Sequence, residues 1–236
     1  MAAWKMAGLS DTGRVREHNE DAIAWNGEEG WAVLADGMGG HHAGEVASAI
    51  AVERISEQLK QGRDAATLQA AVTQANAEIY QQAHAQPRLH TMGTTVVAVA
   101  FNNDQLHIAH VGDSRLYRLR GSALVQLTRD HSLVQELVDE GMMDAEQARN
   151  SSQKNVITRA LGLESQVEPE SGEDSPLTED TYLLCSDGLS DWLRDEEIVP
   201  LLAGDALPEV ARALVEAANE RGGGDNISVI VIRVWD

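Results

Sequence analysis

Asp21-Ala22-Ile23-Ala24-Trp25-Asn26-Gly27-Glu28-Glu29-Gly30-Trp31-Ala32-Val33-Leu34-Ala35-Asp36 reads as a β-hairpin. Two apolar runs bracket Asn26 to Gly30, a stretch of turn-forming residues. A symmetric loop sets Trp25 opposite Ala32, and the same register sets Asp21 opposite Asp36. Directly opposed residues carry Cβ atoms about 4.5–5.5 Å apart, where like charges destabilise. At an effective dielectric of ~20, two carboxylates ~4 Å apart repel by about 4 kcal/mol. A hairpin that ends this way calls for compensation from outside itself.

Downstream of the hairpin, strands at about 21–25 and 31–36 give way to two amphipathic helices. Val46, Ile50, Ile55 and Leu59 predict a helix over 43–59, and Leu68, Val72, Ala75 and Ile79 predict another over 65–83, with Asp64 as its cap. The pattern then returns to strands: Thr94 to Phe101, a turn at Asn102-Asn103-Asp104, Gln105 to Val111, and shorter strands at about 115–120 and 123–127. Residues 130–160 are polar and helix-leaning with a break at Gly141, which suits a flap inserted between sheet segments. A strand at 181–186, helices near 195–203 and 208–220, and a last strand at 226–234 complete the pattern. No repeat, low-complexity tract or long linker interrupts it, so residues 1–236 read as one domain. Strands in meanders with helices in pairs favour an antiparallel α+β or layered arrangement over a parallel doubly wound sheet.

The charge of −20 argues against a nucleic-acid footprint, which needs a basic face. Most of the 38 acidic residues are read as a solvated surface; the question is whether a few converge on cations. Cys185 is the single cysteine, so there is no internal disulfide, and Tyr182-Leu183-Leu184-Cys185 reads as a buried strand. A cysteine-dependent phosphate loop would carry an arginine six places on, where this chain has Asp191. No apolar run approaches the ~18 residues of a membrane span, and the N-terminus shows no secretion leader. A cytoplasmic monomer is expected.

Certain aspartates stand at strand ends. Asp36, Asp113 and Asp187 close strands, whereas Asp21 and Asp225 stand just before strands begin. In antiparallel neighbours the end of one strand lies beside the start of the next, so all five carboxylates can share one edge. Asp-Gly and Asp-Asn pairs are also common turn residues, so spacing alone leaves turn and ligand both open. Oxygen-only ligation would select magnesium or manganese rather than zinc.

Five segments resemble, in order, signatures of the metal-dependent protein phosphatases, the PPM or type 2C family, in their bacterial form. They are Gly13-Arg14-Val15-Arg16-Glu17-His18-Asn19-Glu20-Asp21, Ala35-Asp36-Gly37-Met38-Gly39-Gly40-His41, Val111-Gly112-Asp113-Ser114-Arg115, Cys185-Ser186-Asp187-Gly188-Leu189 and Gly223-Gly224-Asp225-Asn226-Ile227-Ser228. The resemblance implies a four-layer αββα sandwich of two antiparallel sheets flanked by helix pairs. It also implies two or three divalent cations, Mn²⁺ or Mg²⁺. Asp36 would bridge two of them with the Gly37 carbonyl contributing, while Asp187 and Asp225 would complete the ligand set of the second cation. Glu20 and Asp21 would bind through waters or support the ligands, and Asp113 would share a third cation with Asp187.

The implied activity is hydrolysis of phosphoserine and phosphothreonine on proteins, opposing a serine/threonine kinase. A cation pair lowers the pKa of a water between them, and the chemistry is positioning and electrostatics. Arg16 is the candidate for gripping the phosphoryl oxygens, being otherwise an exposed arginine before a strand. Some family members carry a histidine right after the Asp-Gly pair; here Met38 stands there, and His41 or His42 is the candidate acid. A non-catalytic phosphoprotein binder is the rival reading, but every aspartate and Arg16 are present. A metal-dependent nuclease is opposed by the charge, and no Gly-x-Ser-x-Gly elbow supports a serine hydrolase.

Overall fold

The computed structural model describes residues 3–39 and 42–235. One antiparallel sheet is built from β1 (Ala3–Asp11), β7 (Arg115–Arg120), β8 (Ala123–Gln126), β10 (Thr181–Cys185) and β11 (Ile227–Trp235), in the order β1-β11-β10-β7-β8. The other contains β2 (Asp21–Asn26), β3 (Trp31–Met38), β5 (Val96–Asn102), β6 (Gln105–Val111) and β9 (Glu170–Asp174), ordered β2-β3-β5-β6-β9, with the two-residue β4 (Gly93–Thr94) on β3.

Period-two alternation separates three apolar layers. Ala32 and Leu34 of β3 and Val97 and Val99 of β5 face the other sheet, where they meet Leu184, Ile230 and Ile232. Val33, Ala35, Ala98 and Ala100 face outward onto α1 (Ala43–Leu59) and α2 (Ala65–Ala85), through Ile55, Leu59, Leu68 and Ile79. Leu183, Cys185, Val229 and Val231 face the opposite helical layer, made of α5 (Asp187–Ser190), α6 (Asp195–Leu202) and α7 (Leu207–Glu220). The architecture is therefore the αββα sandwich expected. Helices α3 (Leu133–Asp139) and α4 (Ala145–Arg149) lie between β8 and β9, in the segment expected to be a flap.

The hairpin register is the one its loop symmetry predicts: Trp25 pairs with Ala32 and Asp21 with Asp36. Asp64 caps α2 by accepting from the Thr67 amide at 2.8 Å. Three features depart from expectation. Strand β3 does not end at Asp36 but runs on to Met38, because Gly37 and Met38 pair with Thr94 and Gly93. Strand β9, Glu-Ser-Gly-Glu-Asp, carries no apolar pattern and exists only as an edge partner of β6. Strand β1 is also unexpected; its residues pair with the whole length of β11 from Trp235 back to Ile227. Cys185 is wholly buried, as expected, and burial pushes its thiol up to about 12.

Leu34 is fully buried between the sheets. Leu34→Ala is expected to destabilise the protein by about 2–5 kcal/mol, read from urea unfolding, since the sheets cannot collapse around the cavity.

Candidate metal centre

Asp21 begins β2 and Asp36 lies directly opposite in β3. Gly37 follows, and its amide donates to the Glu20 carbonyl at 3.1 Å. A β-carbon at Gly37 would strike the carbonyls of Gly44 and Glu20, so only glycine lets the start of α1 come this close. The Glu20 carboxylate accepts from the Gly44 amide, at the positive end of that helix. Ser48 Oγ, one turn further along α1, donates to the Glu20 carbonyl at 2.6 Å.

The other sheet delivers Asp187 and Asp225. Asp187 is not in a free turn: it opens the one-turn α5, where Gly188 packs against the Asn226 carbonyl without room for a side chain. Asp225 stands two residues before β11 and accepts from Arg16 Nη2 at 2.7 Å, leaving the guanidinium half exposed. Gly112, at a left-handed φ of 105°, turns the chain beyond β6 and brings in the buried Asp113. Asp36 thus lies in the field of Asp21, Asp187, Asp113 and Asp225 together. Of the residues named from sequence, His41 lies outside the described residues. His42 is exposed, with Nδ1 3.2 Å from Glu45 Oε2 and its ring 4.7 Å from that of His18.

Asn226 holds the two halves together, a role its place in an Asp-Asn turn pair did not reveal. Its Oδ1 accepts from the Glu20 amide at 2.8 Å, and its Nδ2 donates to the carbonyls of Thr12 and His18, both at 2.9 Å. The loop bearing Arg16 is therefore pinned on both sides. Ser186 Oγ donates to Asp21 Oδ2 at 3.0 Å and accepts from the Ser228 amide at 3.0 Å.

Burial first, then the neighbouring carboxylates, holds Asp36 and Asp187 well above the usual carboxylate range. Burial lifts Asp21 to about 6, against the bonds from Ser228 and Ser186, and lifts Asp113 to about 6 with help from Asp130. Glu20 is raised by burial, with Arg16 opposing. Asp21 Oδ1 and Asp187 Oδ1 are buried without a hydrogen-bond partner. Orphaned oxygens among crowded carboxylates fit a hard divalent cation with oxygen ligands, Mg²⁺ or Mn²⁺. A cleft of about 370 Å³ runs from Asp113 and Asp187 beneath the flap, where Lys154 Nζ meets Asp191 Oδ2 at 2.5 Å.

His110, His131 and Glu170 also stand close together, their candidate ligand atoms within 4.8 Å of one another. Both rings are already engaged: His131 Nδ1 accepts from the Gly112 amide at 3.1 Å, leaving Nε2–H for Glu170 at 3.1 Å, and His110 Nε2 donates to the Arg129 carbonyl at 2.9 Å. The trio ties the base of the flap to β6 and β9.

Residues 13–226 match the family described as protein phosphatase 2C. The serine/threonine protein phosphatase PstP of Mycobacterium tuberculosis is 43% identical over 235 residues, which is 98% of this chain and 45% of that protein. This chain thus spans about half the length of that relative. The serine/threonine phosphatase stp of Listeria monocytogenes (strain EGD-e) is 40% identical over 94% of this chain and 93% of its own. A solved structure of the PstP catalytic domain in complex with two manganese ions superposes with a TM-score of 0.93 at 40% identity, covering 100% of both chains. With its fold and its assembled aspartates, this chain belongs to the protein phosphatase 2C family.

The raised carboxylates make a signed prediction. Unfolded aspartates titrate near ~4, so the folded state holds protons longer; the stability they contribute is complete below about pH 4. It is lost as pH rises through about 6 for Asp21 and Asp113, and higher for Asp36 and Asp187. In chelator, Asp36→Asn is expected to raise Tm at pH 7.5 by several degrees and to change it little at pH 4. Manganese should raise the wild-type Tm far more than that of the variant. Calorimetry at both pH values checks this.

Proposed function

We propose that this chain is a metal-dependent phosphatase that removes phosphate from phosphoserine and phosphothreonine on proteins. The observation that carries the reading is the convergence of Asp21, Asp36, Asp187 and Asp225 at the sheet ends, with Arg16 seated on Asp225. The phosphatase names of the relatives, and the two manganese ions in the PstP structure, support it. Residues 1–236 act as one catalytic domain, with 130–160 as its flap.

In this reading Asp36, Asp187, Asp225 and the Gly37 carbonyl would hold two divalent cations, Mn²⁺ or Mg²⁺. Glu20 and Asp21 support that set, and Asp113 with Asp187 would hold a third. The cations, when bound, supply a water of lowered pKa and neutralise phosphoryl charge. Arg16 binds and orients the substrate: one arm of its fork rests on Asp225, and the rest takes phosphate oxygens. Asn226 fixes the loop that aims it, which is where positioning enters the rate. The cleft beneath the flap receives residues flanking the phosphate. His41 is proposed as the group that protonates the leaving oxygen.

A phosphorylated protein is the substrate class, and a serine/threonine kinase supplies it. The protein acts as a monomer in the cytoplasm. No helix among the described residues is long and apolar enough to cross a membrane. That Arg16 and all the aspartates are present and assembled speaks for hydrolysis over phosphoprotein binding alone.

Phosphate release from a phosphothreonine peptide tests the reading. Turnover is expected with manganese or magnesium and none in excess chelator. Asp36→Asn should lose at least about 10²–10³-fold in kcat, and Arg16→Ala about 10²-fold in kcat/KM, the scale of removing one charged transition-state contact. Turnover indifferent to chelator, or an Asp36→Asn variant as fast as wild type, overturns it.

A further inference from the structure

The end of the sandwich remote from the aspartates carries a second feature. The Asp21–Asp36 pair lies at one end of the hairpin and Asn26–Trp31 at the other, five residue steps or about 17 Å away. Beside that far end a groove of about 740 Å³ is lined by three of the five tryptophans, Trp4, Trp25 and Trp235, together with Met6, Leu207 and Pro208. Trp25 and Trp235 are more than a third exposed, whereas Trp4 is fixed by stacking on Phe101 with ring centroids 4.4 Å apart.

The groove sits over a sheet edge. Among the described residues, strand β1 is the outermost strand of its sheet and pairs only with β11. Trp4, Lys5 and Met6 are consecutive in β1, so their side chains alternate between its faces, yet all three line the one groove. The groove therefore straddles the strand's free edge, where alternate residues direct unpaired N–H and C=O groups outward. Such an edge accepts an added strand, and flanking pockets take its alternate side chains.

Charge selects the occupant. Glu28 and Asp205 line the groove, and among the described residues neither forms an ion pair. Lys5 already places its ammonium 5.0 Å from the centroid of the Trp235 ring, so a cation rests against aromatic faces here. The chain's charge of −20 works against pairing with a second copy of itself. The geometry points to a docking site, separate from the cation centre, for an extended segment of a partner protein with arginine or lysine alternating with apolar residues. The segment adds to β1 as a strand.

The probe is a fluorescently labelled, end-blocked peptide of alternating arginine and valine, with alternating glutamate and valine as control. Manganese is kept in excess so that the aspartate cluster does not itself attract the peptide. The basic peptide is expected to bind, to protect amides within Trp4–Met6 from hydrogen exchange, and to bind about tenfold more weakly to E28K/D205K. Hydrolysis of p-nitrophenyl phosphate by that variant should be unchanged, which reports an intact fold. Equal binding of both peptides, or no loss in E28K/D205K, overturns the site as charge-selective. Binding without protection at β1 overturns strand addition. A dimer in sedimentation that E28K/D205K dissolves would assign the edge to a second copy instead.

Discussion

Carboxylates that the hairpin forces face to face are the constraint around which the rest of the site is built. Asp21 and Asp36 cannot move apart without breaking the register that also sorts Ala32 and Leu34 into one apolar layer and Val33 and Ala35 into another. The charges are therefore held where they are by hydrophobic burial on both sides of the sheet. What surrounds them answers the strain piece by piece: Ser186 on Asp21, the first turn of α1 on Glu20, Arg16 on Asp225. None of these reaches Asp36 or the inner oxygen of Asp187, and that remainder fits the chemistry of divalent cations.

Elsewhere the chain does meet its acids with bases. Strand β7 carries Arg115, Arg118 and Arg120, which bind Asp130, Asp174 and Asp180 at 2.6–2.7 Å. Arg115 grips Asp130 through both Nε and Nη2, with Gln126 as a further donor. With 18 lysines and arginines against 38 acids, cations are scarce, yet three stand on one strand and pair with carboxylates largely withdrawn from solvent. The aspartates at the sheet ends receive almost none. Leaving them unmatched lowers the stability of the cation-free protein and raises its affinity for metal, one cause with two effects.

Much of this was legible in the residues. Alternation and loop symmetry were enough for the hairpin register, because a one-residue slip would expose an entire apolar face. The helical spacing of Ile55, Leu59, Leu68 and Ile79 placed α1 and α2 because those faces are buried against a sheet. Strand β9 left no trace, since residues 170–173 are exposed on both faces and the segment becomes a strand only through the edge of β6. The extension of β3 past Asp36 was hidden for a like reason: Gly37 and Met38 are held by pairing with Gly93 and Thr94, not by any pattern of their own. The aspartates could be named from their positions at strand ends. The role of Asn226 could not, because its bonds run to backbone carbonyls and an amide, and backbone leaves no mark in composition.

Those bonds of Asn226 span 206 to 214 residues of chain, joining the loop that carries Arg16 to the last strand. Strand β1, just upstream of that loop, likewise pairs with β11. During synthesis the first hairpin and α1 emerge long before the segment that completes the centre. Until Asp225, Asn226 and β11 arrive, the cluster around Asp36 lacks its last member and Arg16 lacks the carboxylate it rests on. Contacts so distant in sequence form late and slowly. A chain cut short before its final strand thus retains the apolar hairpin but lacks Asp225 and Asn226, so the cluster at the sheet ends stays incomplete.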